Sequence, residues 1–315
     1  MIDRYGRNID YLRISVTDLC NLRCIYCMPE GGVAKMRHED ILTVEEIEEI
    51  TRAAAALGIE KIRLTGGEPL VRKGIVEIVR RTAAVPGIRE VALTTNGSLL
   101  AGYAQDLKAA GLSRVNISID TMDAEKYREV TRGGELADVL SGIRAATDAG
   151  LRPIKLNAVL IGGINEDFIR PLVEMTRDAD FRVRFIEIMP IGECADWNRE
   201  RFVSISRVLE DVPGLAYAGT DGVSKLYRLE GAKGSVGLIS PISSHFCPAC
   251  NKVRVTSDGK LKPCLHSPEE IPLRGLHGAA LEDAMRRGIL DKPLKHKLDS
   301  ERKSDSRRGM SAIGG

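Results

Sequence analysis

The feature that most constrains this fold is an alternation of short β-rich runs with longer helical patterns along the first two thirds of the chain. Strands separated by helices pair in parallel, and their crossover connections are right-handed. The alternation therefore predicts an α/β fold whose parallel sheet closes into a partial or complete barrel, with ligands at the carboxyl ends of the strands. The candidate strands are Tyr11–Val16, Lys61–Leu64, Glu90–Thr95, Arg114–Ile119, Pro153–Ile161 and Phe181–Ile188.

One helix is predicted in detail between the first two candidate strands. Thr43 and Glu46 form a capping-box pattern, which marks the start of a helix. Apolar residues then recur at helical spacing on one face. Gly58 follows the last of them and predicts the end of the helix.

The pattern changes near Asp211, where strong helical patterns give way to a stretch richer in Gly, Pro and Ser. We therefore divide the chain into residues 1–210, which form the barrel, and residues 211–315, which form a second domain. In the second domain, the alternating run at residues 251–255 and the turn residues Ser257-Asp258-Gly259 predict a hairpin. The charged, Ser-rich segment after Leu290 is disordered if it is judged by composition alone.

Bulk properties exclude several classes of protein. The formal net charge of +2 is too small to indicate a nucleic acid or an anionic membrane as partner. No run approaches the about 20 apolar residues of a membrane-spanning helix, and residues 1–10 are unlike a signal peptide, so we expect a cytoplasmic protein. In that reducing compartment the seven cysteines predict metal binding or catalysis. Cys194 stands apart from the other six and is given no role.

The first cysteine group is a C-x3-C-x2-C arrangement, Cys20, Cys24 and Cys27, directly after the first candidate strand. Three thiolates on one loop can hold three irons of a [4Fe–4S] cluster. The missing fourth ligand leaves a coordination position at which a substrate or cosubstrate can bind the metal. The alternative is a structural zinc site with His38 as the fourth ligand.

The second cysteine group is Cys247 and Cys250, followed by Cys264 after the predicted hairpin. It again offers three thiolates without a fourth cysteine, so a second [4Fe–4S] cluster is one interpretation. His245 and His266 lie close by in the sequence, and zinc is the alternative here too.

The first cysteine group, with Tyr26 before its last cysteine, resembles the signature of the radical S-adenosylmethionine (SAM) superfamily. The run Thr65-Gly66-Gly67-Glu68-Pro69 after the second candidate strand resembles a second hallmark of that superfamily. A glycine pair allows the backbone to approach a ligand closely, here by resemblance the methionine moiety of SAM. The resemblance implies a partial (β/α)6 TIM-like barrel, followed by a carboxyl-terminal domain that carries the second cluster.

A narrower resemblance includes the run Tyr-Leu-Arg-Ile-Ser-Val-Thr-Asp-Leu-Cys-Asn-Leu-Arg-Cys at residues 11–24, the second cysteine group and the Gly-Gly end. Over essentially the whole chain these features resemble the molybdenum cofactor biosynthesis protein A family, the GTP 3′,8-cyclases. The resemblance implies two [4Fe–4S] clusters and SAM as cofactors. It implies GTP as the substrate, in the first step of molybdenum cofactor biosynthesis.

The implied reaction starts when an external low-potential electron donor reduces the first cluster, which cleaves SAM to methionine and a 5′-deoxyadenosyl radical. The radical removes hydrogen from C3′ of GTP, and the carbon radical attacks C8 of the guanine that the second cluster holds. The product, 3′,8-cyclo-7,8-dihydroguanosine 5′-triphosphate, passes to the next enzyme of the pathway, which makes cyclic pyranopterin monophosphate. A homodimer is the family expectation.

Five basic residues fall in candidate strands, where a charged side chain inside an apolar core is unfavourable. Barrel interiors usually hold aliphatic side chains, so inward-facing basic groups indicate a bound polyanion such as a nucleoside triphosphate. The alternative is that each of them faces outward as a surface charge. The resemblance assigns all five to the triphosphate site: Arg13, Lys61, Arg63, Lys155 and Arg184.

The resemblance assigns further residues to ligands. It places Tyr26, Gly67, Ser118 and Met189 against SAM, Thr94 near GTP, and Lys252, Val253 and Arg254 at GTP. Lys252 departs from the family, which commonly has two arginines in this stretch, and a lysine lacks the paired donors of a guanidinium. Gly314 and Gly315 are implied to enter the active site, where the lack of side chains suits a crowded channel.

Two other functions fit parts of the sequence. A radical SAM maturase that modifies peptides would need a peptide groove and usually more cysteines in its carboxyl-terminal part. A non-catalytic, zinc-stabilised binding module would leave the Gly-Gly-Glu-Pro run and both missing fourth ligands without an explanation.

Overall fold

A computed structural model of the chain describes residues 1–195, 197, 201–296, 298 and 304–314. The strands of this part are β1 (Tyr11–Ser15), β2 (Lys61–Thr65), β3 (Glu90–Thr95), β4 (Arg114–Ser118), β5 (Ile154–Leu160), β6 (Phe181–Glu187), β7 (Ala216–Asp221), β8 (Ser224–Arg228), β9 (Ser235–Ile239), β10 (Lys252–Val255), β11 (Lys260–Lys262) and β12 (Ile271–Pro272). The α-helices are α1 (Val44–Ala56), α2 (Ile75–Ala84), α3 (Ala104–Ala109), α4 (Ala124–Thr131), α5 (Leu136–Asp148), α6 (Ile169–Asp178), α7 (Arg207–Asp211), α8 (Gly278–Leu290) and α9 (Met310–Ile313). Short 3-10 helices lie at His38–Asp40, Pro69–Val71, Leu100–Gly102, Glu166–Phe168, Gly192–Cys194 and Cys247–Ala249.

The described strands form one sheet in the order β12-β11-β10-β1-β2-β3-β4-β5-β6-β9-β8-β7. Strands β1 to β6 lie in sequence order, and each pairs in parallel with the next. Strand β10 pairs in parallel with β1, and β9 with β6, so later strands flank both ends of the six-strand unit and the barrel is partial. The predicted α/β fold with a partial (β/α)6 barrel is confirmed. The domain boundary between residues 210 and 211 stays a prediction.

The candidate strands agree with β1 to β6 to within one residue at each end. The predicted helix is also confirmed as α1, which begins after the N-cap residue Thr43. The Thr43 side chain accepts a hydrogen bond from the backbone N–H of Glu46 at 3.1 Å, and the Glu46 carboxylate accepts one from Thr43 N–H at 2.8 Å. Gly58 adopts a left-handed conformation with φ +82° just beyond the helix end.

The barrel strands alternate between an apolar outer face and a polar inner face. Leu12 and Ile14 of β1 have no exposed surface and belong to the apolar core between the strands and the helices. Arg13 between them lines the barrel cavity instead. Because side chains alternate across a strand, a polar residue between two core residues, such as Arg13, faces into the barrel.

The second part of the chain contains the predicted hairpin and several strands that the sequence did not predict. β10 and β11 pair antiparallel, as expected, and Gly259 in their turn has φ +78°. The strands β7, β8 and β9 form an antiparallel extension of the sheet beyond β6. Among the described helices, none is long and apolar enough to cross a membrane.

The expectation of a disordered tail is wrong for its last described residues. Met310–Ile313 form α9, and Ser311 and Ile313 are 3% and 1% exposed. Composition fails here because a short apolar segment among charged residues can be buried by a cavity that the rest of the chain provides. Gly315 lies outside the described residues.

Candidate active site

The centre of the barrel is a cavity of about 690 Å³ that reaches from the first cysteine group to the second. All six cysteines of the two groups line it, although the groups are more than 200 residues apart in sequence. The other sequence-predicted residues that line it are Arg13, Tyr26, Lys61, Arg63, Gly67, Thr94, Ser118, Lys155, Arg184, Met189, Lys252 and Arg254. Of the described predicted residues, Val253 and Gly314 do not line it. The Val253 side chain points into the apolar core and has no exposed surface.

The first cysteine group lies on the loop that follows β1. Cys20, Cys24 and Cys27 are free thiols, and each is partly exposed. Burial raises the pKa of Cys24, and it raises the pKa of Cys27 to about 12. Such thiols ionise only when a strongly positive group binds to them, which is the situation of an iron ligand.

The described residues do not bring three His, Cys, Asp or Glu side chains close enough to share one metal ion. His38 is exposed and does not line the cavity. A zinc site needs its ligands around a single ion, whereas each cysteine of an iron–sulfur cluster binds a different iron. The arrangement of the first group therefore fits a cluster better than zinc.

The Gly66–Gly67 pair packs against the cysteine loop. A Cβ on Gly66 would lie 2.6 Å from the carbonyl oxygen of Thr17, and one on Gly67 would lie 2.4 Å from that of Leu19. The Gly67 N–H also donates to the Thr17 carbonyl at 3.0 Å. The close contact that requires glycine is thus with the chain itself. The contact of Gly67 with SAM stays a prediction.

Two buried carboxylates near the first group were missed by the sequence analysis. Glu68 accepts hydrogen bonds from Thr95 Oγ1 and Asn96 N–H, both at 2.7 Å, and its burial raises its pKa to about 7. Asp120 accepts a hydrogen bond from the Tyr26 hydroxyl at 2.6 Å. The place of Glu68 in the Gly-Gly-Glu-Pro run was a sequence signal that could have identified it as a site residue. For Asp120 the only signal was its position directly after a candidate strand. Both carboxylates thus fix residues that line the cavity.

The five basic residues from the strands all line the cavity, so the interpretation of them as outward-facing surface charges is wrong. Lys155 and Arg184 are 4% and 8% exposed. A carboxylate that the sequence analysis missed lies between them: Asp221 Oδ2 is 2.6 Å from Lys155 Nζ and 2.6 Å from Arg184 Nη2. The same oxygen is 3.1 Å from Arg182 Nη1. One carboxylate oxygen thus contacts three cations.

Burial and the contacts around Asp221 shift the pKa values of Asp221 and Arg184. Burial alone would raise the pKa of Asp221, but the hydrogen bond from Lys155 and the charge of Arg184 lower it well below its usual range. Burial lowers the pKa of Arg184 to about 10 despite the contact with Asp221. Three cations contact one carboxylate here, so positive charge is in excess, which favours a bound anion.

Several buried polar atoms of cavity-lining residues have no hydrogen-bond partner among the described residues. They include Nε of Arg63 and of Arg184, Oγ1 of Thr94 and Oδ1 of Asn157. Buried polar groups are normally paired. These atoms indicate a ligand with both hydrogen-bond donors and hydrogen-bond acceptors.

The second cysteine group surrounds the opposite end of the cavity. Cys247 lies in a 3-10 helix, and Cys250 and Cys264 flank the β10–β11 hairpin. Burial alone would raise the pKa of Cys250, but the charges of Lys292 and Lys252 lower it.

The histidines of the zinc alternative do not complete this group. The His245 ring points to His296, with Nδ1 to Nε2 at 3.2 Å, and His245 itself does not line the cavity. His266 lines the cavity, and its Nδ1 is 3.1 Å from the Ser304 hydroxyl. The described residues here, as in the first group, place no three such ligands around one ion.

The tail runs between the two cysteine groups. Met310 and Ser311 of the tail line the cavity together with Cys27 of the first group. The Gly314 carbonyl accepts a hydrogen bond from Arg254 Nη1 at 2.5 Å. Gly314 has φ +80°, and a Cβ on it would lie 2.3 Å from Thr65 Oγ1, so only glycine fits this position.

Sequence comparisons agree with this geometry. The profile of the Radical SAM superfamily matches residues 14–176, and that of Molybdenum Cofactor Synthesis C matches residues 181–300. A GTP 3′,8-cyclase from Alkaliphilus metalliredigens is 53% identical, with 100% of both chains covered. One from Alkaliphilus oremlandii is 52% identical, also with 100% of both chains covered.

Solved structures support the fold. SuiB from Streptococcus suis bound to S-adenosylmethionine superposes with a TM-score of 0.61 at 15% identity, over 92% of this chain and 66% of that chain. The structure of anSMEcpe with bound AdoMet superposes with a TM-score of 0.58 at 15% identity, over 90% of this chain and 81% of that chain. Taken with the two cysteine groups and the partial barrel, these matches show that the chain belongs to the radical SAM superfamily and, within it, to the family of the GTP 3′,8-cyclases.

Proposed function

We propose that this protein is a GTP 3′,8-cyclase, which converts GTP to 3′,8-cyclo-7,8-dihydroguanosine 5′-triphosphate in the first step of molybdenum cofactor biosynthesis. The observation that carries the proposal is the single cavity that joins both cysteine groups to the basic strand residues. The full-length identity of 53% to a curated GTP 3′,8-cyclase supports the same conclusion.

A radical SAM protein uses a [4Fe–4S] cluster and SAM, and Cys20, Cys24 and Cys27 would hold that cluster. When bound, the cluster and SAM supply the carbon-centred radical that abstracts hydrogen from the substrate. Three cysteines would leave one iron of the cluster without a protein ligand, and Met310 and Ser311 of the tail line the same cavity. We assign SAM contacts to Tyr26, Gly67, Ser118 and Met189, all of which line the cavity.

The second cysteine group would hold another [4Fe–4S] cluster. Cys247, Cys250 and Cys264 are free thiols that line the cavity, and three of them again leave one iron without a protein ligand. We propose that this position takes the guanine base. Lys292 and Lys252, whose charges act on Cys250, favour the thiolate form that iron requires.

The basic residues that line the cavity would bind the triphosphate. We assign this role to Arg13, Lys61, Arg63, Lys155 and Arg184, together with Lys252 and Arg254, and place Thr94 and the backbone of Val253 near GTP. The unpaired Nε atoms of Arg63 and Arg184 support the assignment, because a phosphate oxygen would satisfy them. A substrate held at both ends can bring C3′ and C8 close together, and positioning of this kind lowers the barrier by several kcal/mol.

The tail forms part of the proposed site. The Gly314 carbonyl accepts a hydrogen bond from Arg254 Nη1. We propose that both glycines help to shape the space around the substrate.

Three partners complete the proposal. The reaction requires an external low-potential electron donor. The cyclic product requires a further enzyme that converts it to cyclic pyranopterin monophosphate. A homodimer is expected from the family.

The test is anaerobic reconstitution with iron and sulfide, followed by dithionite, SAM and GTP. We expect about eight irons per chain, as for two four-iron clusters, together with 5′-deoxyadenosine and the cyclic GTP product. Cys194→Ser is the matched control for cysteine replacement and should keep its iron. Cys27→Ser should lose about four irons and all SAM cleavage.

Other results would contradict the proposal at different levels. Full iron loading and SAM cleavage without conversion of GTP would refute the substrate. Stoichiometric zinc with no SAM cleavage would refute the radical chemistry itself.

A further inference from the structure

The amino-terminal run Asp3-Arg4-Tyr5-Gly6-Arg7 precedes β1 and includes a buried guanidinium. The Arg7 side chain is 5% exposed and pairs with Asp3, Nε to Oδ2 at 2.6 Å. Its remaining donors reach four backbone carbonyls: those of Cys247 (3.1 Å) and Leu294 (3.1 Å) from Nη1, and those of Lys292 (3.3 Å) and Pro293 (2.9 Å) from Nη2. A guanidinium has five N–H donors, so this side chain is saturated with acceptors.

These acceptors belong to parts of the chain that are far apart in sequence. Cys247 is 240 residues from Arg7, and Leu294 is 287 residues from it. Cys247 belongs to the second cysteine group. Among the described residues, no strand pairing joins the 3-10 helix Cys247–Ala249 to residues 292–294, so the guanidinium links two segments that the sheet does not connect.

Arg7 also acts on the other side of the second group through Lys292. The Lys292 side chain is 3% exposed, and its Nζ donates a hydrogen bond to the carbonyl of Pro263 at 2.9 Å. Pro263 immediately precedes Cys264. By fixing the backbone of Lys292, Arg7 thus connects to both Cys247 and the strand end that carries Cys264.

We propose that Arg7 is a positioning residue for the second cysteine group, because its guanidinium fixes the backbone at Cys247 directly and the backbone at Cys264 through Lys292. Arg7 itself does not line the cavity and is not a ligand. The inference rests on the proposed function insofar as that function places a second cluster at this group.

Lysine cannot replace arginine here. A lysine ammonium has three donors on one nitrogen, whereas the planar guanidinium reaches acceptors in several directions at once. Arg7→Lys keeps the charge opposite Asp3 but leaves several of the four carbonyls without a donor. A purely electrostatic role would tolerate this change, and a positioning role would not.

The first measurement is the iron content of the full-length protein after anaerobic reconstitution, followed by the rate at which a chelator removes iron. The variants are Arg7→Lys and, as matched control, Arg4→Lys. Arg4 belongs to the same run and pairs with Asp291, but its side chain is 65% exposed. Loss of an outer partner of a metal ligand weakens metal binding by about 10- to 100-fold.

We therefore expect Arg7→Lys to lose the iron of the second group about 10- to 100-fold faster than wild type, with SAM cleavage at the first group retained. Arg4→Lys should match wild type. Unchanged chelation in Arg7→Lys would overturn the proposal, and so would an equal loss of iron from both groups. If wild type binds only about four irons, it has no second cluster, and that part of the proposed function is refuted.

A measurement on the iron-free chain tests the positioning role independently of any cluster. The alkylation rates of Cys247 and Cys20 by iodoacetamide can be compared by mass spectrometry. Arg7→Lys should increase the rate at Cys247 several-fold and leave the rate at Cys20 unchanged. Equal rates at Cys247 in the variant and in wild type would overturn the proposal.

Discussion

Replacement of Arg308 by methionine should release the tail from the cavity. Arg308 holds two carboxylates at once: Nε and Nη2 donate to Glu270 at 2.6 and 2.7 Å, and Nη1 and Nη2 donate to Asp258 at 3.0 and 2.8 Å. Asp258 lies in the β10–β11 turn, and Glu270 directly precedes β12. The tail is thus attached to the sheet two residues before α9 begins.

The size of the effect follows from burial and charge. The side chains of Arg308, Asp258 and Glu270 are 17% to 19% exposed. Burial alone would lower the pKa of Arg308, but its hydrogen bonds to both carboxylates raise it, and both acidic pKa values are lowered in turn. A hydrogen bond to a charged group contributes about 1.5–3 kcal/mol, and partial exposure reduces this. Two shared carboxylates therefore stabilise the docked tail by about 2–3 kcal/mol, which is about 30- to 150-fold in the docking equilibrium.

Amide hydrogen exchange of the tail measures this equilibrium without any cofactor. We expect exchange of the amides at residues 310–314 to become about 30- to 150-fold faster in Arg308→Met. Arg307→Met is the matched control, since Arg307 is exposed, and its exchange should equal that of wild type. Unchanged protection in Arg308→Met would show that α9 is held by its own apolar contacts and would refute this reasoning.

Three further results are expected. Cys250→Ala should retain SAM cleavage, measured as 5′-deoxyadenosine, and lose the cyclic GTP product; equal loss of both would contradict a substrate role for the second group. Asp221→Asn should bind GTP about tenfold more tightly by anaerobic calorimetry, a gain of about 1.4 kcal/mol, because its carboxylate competes with phosphate for three cations. Weaker binding would show that Asp221 instead aids the substrate. Gly314→Ala should displace the tail and reduce cyclisation, since its Cβ would meet Thr65 Oγ1 at 2.3 Å, whereas Gly309→Ala meets nothing within 4 Å and should keep its activity.

The parts of the molecule that the sequence predicts well are those set by local pattern. β1 to β6 follow from hydrophobic runs that are buried on the outside of the barrel, and α1 follows from its cap. The basic residues at alternate strand positions were correctly expected inside the barrel, because neighbouring apolar residues require the opposite face. Arg13 between Leu12 and Ile14 is the clearest case.

The parts that were missed depend on contacts between distant segments. β7 is exposed over most of its length, so it has no hydrophobic alternation to reveal it, and Asp221 at its end has no local signal for its three cations. The glycine pair at residues 66–67 was recognised, but the backbone that it must accommodate belongs to the cysteine loop. The helix of the tail could not be predicted from composition, because the barrel provides the surfaces that bury it.

The pairing of β1 with β10 has a consequence for the synthesis of the protein. β1 leaves the ribosome early, but one of its two neighbours, β10, begins 241 residues later, where Tyr11 pairs with Lys252. Contacts between residues so far apart in sequence slow folding, and the amino-terminal edge of the sheet stays open until the last part of the chain is released. Iron inserted into the first cysteine group before that time would lie in a barrel that lacks its tail. Cluster assembly is therefore best completed after translation ends.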